Sequence, residues 1–133
     1  MAALDPSLTD FIFFFEYPTE PDVYTLNGFM FTLLGLYDWQ EVAKSDDARK
    51  LLDEGLRTLK HILPYYDLGA LSSYDLSYLT IPHSNARYEA GKPHIAQRYH
   101  AVHLTQLYAL NSIRPDPVLQ EYFDRWSSYV ASP

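Results

Sequence analysis

The sequence predicts an all-α domain built of two αα-hairpins with a short β-hairpin insert, and three observations carry that expectation. Leu52, Leu56, Leu59 and Leu63 recur at i, i+4, i+7 and i+11, the spacing of one helical stripe. Helical spacing returns over residues 95 to 113, and a last apolar face follows in Leu119, Tyr122, Phe123, Trp126 and Val130. Between these stretches residues 65 to 81 change to Tyr, Leu, Ser and Thr with Gly69, which suggests a short β-hairpin or ordered loop across a helix end.

Taken in order, residues 1–20 form an extended lead-in. The run Phe11, Ile12, Phe13, Phe14, Phe15 reads as a buried strand or extended segment, ended by Pro18 and Pro21, each of which biases its predecessor toward extended backbone. Residues 21–64 form the first helical hairpin. One helix runs from near Asp22 to about Ala43, and a second restarts with Ser45 or Asp46 as N-cap and ends at Pro64. Residues 65–94 hold the β-like insert and then an irregular connection marked by Ser84, Asn85, Gly91 and prolines. Residues 95–133 form the second helical hairpin, with the turn Arg114, Pro115, Asp116, Pro117 between its helices. Gly28 is out of place in a helix, where it costs about 1 kcal/mol relative to Ala, so close packing or approach to a ligand is implied.

Composition narrows the function classes. At 133 residues the chain suits one domain, able to bury roughly two thirds of its unfolded surface. The net charge of -7 and pI near 5.0 speak against nucleic acid, which needs a basic field. Without cysteine there is no disulfide, thiolate metal site or Cys nucleophile. The five-residue apolar run is far short of the roughly 20 residues of a membrane span, and no basic segment precedes it as in a signal peptide, so the compartment is left open. Twelve Tyr, seven Phe and two Trp suit a site that stacks ring faces on a sugar while offering hydroxyls, but for most of them ordinary core packing is the expected role.

Three separated segments go further. The first is Glu16-Tyr-Pro-Thr-Glu-Pro21 running into Leu26-Asn-Gly-Phe29, with Leu34-Gly-Leu-Tyr-Asp38 following. The second is Ser73-Tyr-Asp-Leu76, and the third is Arg98-Tyr-His-Ala-Val-His-Leu-Thr-Gln-Leu107, with Ile62-Leu-Pro-Tyr-Tyr-Asp67 as a spacer. In this order they resemble the C-terminal domain of the D-glucuronyl C5-epimerases, which invert uronate residues within heparan-type polysaccharides. The resemblance runs from about Phe14 to Tyr129. It implies that the two hairpins are part of an (α/α) toroid, as an arc whose apolar faces need another copy or the remainder of a longer chain. It implies a uronic-acid-containing polysaccharide as partner. The animal members are Golgi-lumenal.

Inverting a uronate at C5 removes a proton alpha to a carboxylate and returns one to the opposite face, so the site needs two proton-transfer groups and a cation. That logic requires no metal and no organic cofactor. Matched by position, the family's catalytic residues fall on Tyr74, Tyr99 and Glu16. Around them Arg98, His100, His103, Tyr17, Asn27 and Arg87 are the expected substrate-binding residues. An unperturbed phenol is about one part in a thousand ionised at neutral pH, a handicap of roughly 4 kcal/mol for a base, so a catalytic Tyr needs a positive neighbour. Arg98 and His100 flank Tyr99, and residues 83 to 103 hold Arg87, Lys92 and Arg98 against the single acid Glu89. The same stretch is also compatible with a solvated basic loop. On a helix Tyr99, His103 and Gln106 share a face, which suggests a lined cleft. His100 and His103 at i, i+3 would also suit one metal, but no third ligand accompanies them, so none is expected.

Two departures bear on the site. Animal epimerases carry Arg-His after the Tyr-Asp-Leu motif, where this chain has Ser77 and Tyr78, and its connection from Arg87 to Arg98 is longer. Arg98 or Arg87 is then the expected replacement cation. Two alternatives remain at the level of sequence: a polysaccharide lyase sharing the same proton abstraction, and a catalytically silent glycan-binding module.

Overall fold

The computed structural model describes residues 10–16, 19 and 21–131, and the regular structure among them is almost wholly helical. Five helices follow one another: α1 (Leu26–Ala43), α2 (Asp46–Tyr66), the single turn α3 (Ser77–Thr80), α4 (Tyr99–Ile113) and α5 (Pro117–Ala131). Lys44, in the left-handed region at φ 53°, ends α1. Ser45 then caps α2 by accepting the Ala48 N–H at 3.1 Å, and Asp46 and Asp47 meet the positive end of its dipole. So short a connection folds α2 back on α1. The pair packs closely because Gly55 has no Cβ, and one placed there would strike the Leu33 side chain.

Two sets of contacts fix how the hairpins lie side by side. Gln106 Nε2 donates to the Asn27 carbonyl at 2.9 Å, and the Arg114 guanidinium sits 6.0 Å from the Tyr37 ring. Both partners advance together, so α4 runs parallel to α1. Lys60 to Asp116 and Asp67 to Arg125, each at 3.0 Å, do the same for α2 and α5. The leucine stripe of α2 is buried as its spacing predicts, and it joins Phe29, Leu33, Leu107, Leu110 and Trp126 in one core cluster.

Several local expectations need correction. The run at residues 11–15 is extended but pairs with no strand among the described residues. Its rings pack on helix side chains instead: Phe13 stacks on Phe29 at 4.3 Å, and Phe11 stacks on His61 at 4.3 Å and has the Arg57 guanidinium 4.3 Å from its ring centre. α1 begins at Leu26, because the backbone before it is tied to the insert: Leu76 N–H donates to the Val23 carbonyl at 2.7 Å and Leu26 N–H to that of Tyr74 at 3.1 Å. Pro64 does not end α2. Tyr66, fully buried, draws the last turn onward, its phenol donating to the Tyr24 carbonyl and pushed well up from its ordinary pKa by burial. In place of the expected β-hairpin, the described residues of this segment make isolated bridges, Asp67 to Ser72 and Ser73 to Ile95, followed by α3. α4 starts at Tyr99 rather than near Ile95, and Val130 lies outside the buried face of α5 at 57% exposure.

Candidate active site

Because the hairpins are parallel, the starts of α1 and α4 and the ends of α2 and α5 share one end of the molecule. The segment from Ser72 to Leu76 crosses that end under backbone control. Ser73 N–H donates to the Tyr66 carbonyl at 2.7 Å, Tyr74 N–H to that of His94 at 2.7 Å, and Ala96 N–H to that of Ser72 at 3.0 Å. Tyr74 is therefore held from both sides. Tyr99, the first residue of α4, keeps 42% of its surface exposed.

The two tyrosine rings meet edge to face, centroids 4.9 Å apart and planes at 61°. They open onto a concavity of about 360 Å³ whose other walls include His94, Gln97 and Arg98. A second concavity of about 340 Å³ adjoins it through His94, Ile95 and Gln97, and is lined by Arg87 and Lys92 among others. Arg98 occupies the N-cap position of α4, where the helix offers no acidic residue in its first turn. Helix start and guanidinium thus present the same sign of charge to the groove. Tyr74, Tyr99 and Arg98 are brought together; Arg87 belongs to the neighbouring concavity.

Glu16 reaches the same end of the molecule from the N-terminal segment. Its side chain lies directly on Gly28 in the first turn of α1, where an added Cβ would come within 2.7 Å of the Glu16 Cβ. The helix glycine thus accommodates Glu16 and not a helix contact. Asn27, next to it, is buried, and its carbonyl receives Gln106. Tyr17 lies outside the described residues.

His100 and His103 do not line the groove. Both are buried, at 1% and 0% exposure. Trp126 offers His100 Nε2 a carbonyl at 2.9 Å, which can only accept, so Nε2 carries the proton and Nδ1 accepts the Ser72 N–H at 3.0 Å. His103 Nδ1 lies 2.8 Å from the Ser72 hydroxyl, and its Nε2 has no partner. Burial, followed by the neighbouring His100, lowers the His103 pKa to about 3, so it is neutral near pH 7. The face of Tyr99, His103 and Gln106, expected to line a cleft, is turned into the core beyond its first residue because α4 packs it on Ser72 and α1.

Two residues not singled out in the sequence bear on the groove: His94 lines it, and the buried Asp75 lies behind His94. Asp75, 1% exposed, accepts from the Ser77 N–H at 3.0 Å and the Ser77 hydroxyl at 2.7 Å, and its second oxygen lies 3.3 Å from His94 Nδ1. The His94 ring packs 4.9 Å from that of Tyr74. The acid inside the Ser-Tyr-Asp-Leu motif and a histidine in the basic stretch were the available signals.

Comparison with known proteins agrees with this arrangement of segments. A family described as D-glucuronyl C5-epimerase C-terminus matches residues 3–128. The chain is 36% identical over 132 residues to a D-glucuronyl C5-epimerase of Caenorhabditis elegans, an alignment that covers 90% of this chain and 20% of that protein. It is 30% identical over 116 residues to an uncharacterized protein of Methanocaldococcus jannaschii, covering 87% of this chain and 33% of the other. The chain therefore spans between about a fifth and a third of the length of these relatives. With the family's segments in order over nearly its whole length, the chain belongs to the D-glucuronyl C5-epimerase C-terminal family.

Proposed function

We propose that this chain is the catalytic C-terminal part of a uronate C5-epimerase, an isomerase that converts D-glucuronate to L-iduronate residues within a polysaccharide. The observation that carries the reading is the pair Tyr74 and Tyr99, in ring contact at 4.9 Å on one concavity with Arg98. One phenol, ionised, removes the C5 proton; the other returns a proton on the opposite face. Arg98 holds the substrate carboxylate and stabilises the charge that moves onto it. Glu16, set on Gly28 at the same end, is the third acid–base candidate. Arg87, in the adjoining concavity, suits the next anionic sugar of the chain. In this reading residues 1–133 act as one domain, and the parallel hairpins are an arc of an (α/α) toroid whose remaining faces are covered by a second copy or further chain.

The family supports an epimerase over a lyase or a silent glycan-binding module. All three are separated by incubating the chain with a glucuronate-containing heparan-type polymer in heavy water. Deuterium at C5 with the polymer length unchanged is the expected result. Cleaved chains with unsaturated ends would mean a lyase, and binding with neither change would mean a silent module.

A further inference from the structure

We propose that His94, oriented by the buried Asp75, is the proton acceptor for Tyr74; the assignment rests on the epimerase reading and extends it. Asp75 is a carboxylate at 1% exposure, and Ser77 satisfies only one of its oxygens. Those bonds place Asp75 at the start of α3 but leave its second oxygen to His94, at 3.3 Å from Nδ1. A carboxylate accepts, so Nδ1 carries a hydrogen, which makes Nε2 the acceptor position of the neutral imidazole. The imidazole side chain is about half exposed, at 52%, and borders both concavities.

The backbone fixes where that imidazole sits. The His94 carbonyl accepts the Tyr74 N–H at 2.7 Å and the Ser73 hydroxyl at 3.3 Å, and the next residue, Ile95, bridges to Ser73. Ring contact with Tyr74 at 4.9 Å follows. An acid orienting a base, and a base beside a weak nucleophile or weak proton acceptor, is the arrangement that activates hydroxyls in general. Here it meets a stated need. A phenol is a poor base at neutral pH, and His100, the expected neighbour of Tyr99, is turned into the core.

The step balances without any further reactant. His94 Nε2 takes the Tyr74 hydroxyl proton, directly or across one water, leaving the phenolate. That phenolate takes the C5 proton, and the C5–H electron pair enters the bond to the carboxylate carbon, giving an enediolate held by Arg98. Tyr99 gives its proton to the opposite face of C5, restoring the carboxylate. The His94 imidazolium then returns a proton through solvent to the Tyr99 phenolate.

The test uses the full chain. Nitrogen-15 spectra of the imidazoles should show His94 with hydrogen on Nδ1. With a glucuronate-containing heparan-type tetrasaccharide in heavy water, His94→Ala should lower C5 exchange about 100-fold, with thermal unfolding little changed, and added imidazole should restore part of the loss. Rescue by imidazole is not expected of a residue that only packs. A hydrogen on Nε2, or His94→Ala exchanging at the wild-type rate, would overturn the assignment and leave the epimerase reading standing. No exchange by the wild-type chain would overturn both.

Discussion

Among single residues, exposure to the groove and packing in the core are divided between neighbours in sequence. Tyr99 faces the groove at 42% exposure while His100 is at 1%, one step along the same helix. His103 carries a consequence that solution measurements reach directly. Its folded-state pKa is about 3, against 6.5 for an ordinary His. Between those values the unfolded chain binds the proton and the folded chain does not, so stability falls as pH drops below about 6.5. The steepest loss from this one group is about 1.4 kcal/mol per pH unit. Denaturant titrations between pH 7 and 4 should show that slope, and His103→Asn should flatten it; equal slopes would place the acid sensitivity elsewhere. A second prediction concerns Gly28. Replacing it by Ala favours the helix by about 1 kcal/mol, but the new Cβ displaces Glu16. Gly28→Ala should therefore still fold, with the helix gain offset by the displacement of Glu16, while C5 exchange falls toward that of Glu16→Gln. Full activity in a folded Gly28→Ala chain would detach Glu16 from the reaction.

Among the elements, helices were legible where an apolar stripe and a cap coincide. The α2 stripe and Ser45 are the clearest case, since periodicity and capping are local properties that need no knowledge of the rest of the fold. The insert was not legible for the converse reason. Its backbone bonds go to residues far along the chain, Tyr66, His94 and Val23, and no short-range pattern announces such partners. The same applies to the site: Tyr74, Tyr99 and Arg98 came from the motifs, whereas the Asp75 to His94 contact spans 19 residues and only the fold brings it about. Pro64 misled because a proline in a final turn interrupts little when a buried Tyr66 holds the chain beyond it. Asp67 gives an element-scale prediction. It accepts from Tyr129 Oη at 2.7 Å, Arg125 at 3.0 Å and Gly69 N–H at 3.0 Å, so it joins the end of α2 to α5. Burial pulls its pKa up, but those hydrogen bonds outweigh it and leave the pKa below the ordinary value. Asp67→Ala should cost about 1–3 kcal/mol in denaturant unfolding, and a change within error would make the clasp incidental.

For the molecule as a whole, two hairpins laid parallel bring one helix end of each to the same place, and that is what assembles a groove from residues 74 to 99. The arrangement also leaves apolar side chains outside. Phe31 is 64% exposed, Trp39 62% and Val42 85% on α1, with Tyr108 at 64% on α4. Surface of that kind drives association. The isolated chain should sediment above its 15.4 kDa monomer mass, and the double change Phe31→Glu with Trp39→Glu should shift it toward monomer. A clean wild-type monomer would show that these side chains need no cover. Deuterium incorporation at C5 of a glucuronate-containing polymer reports whether Tyr74 and Tyr99 transfer the proton. Replacing either Tyr by Phe removes one hydroxyl and almost no volume, so thermal unfolding should be nearly unchanged while exchange falls about 100-fold or more. Exchange by both Phe variants at the wild-type rate would contradict the account and return the two rings to a packing role.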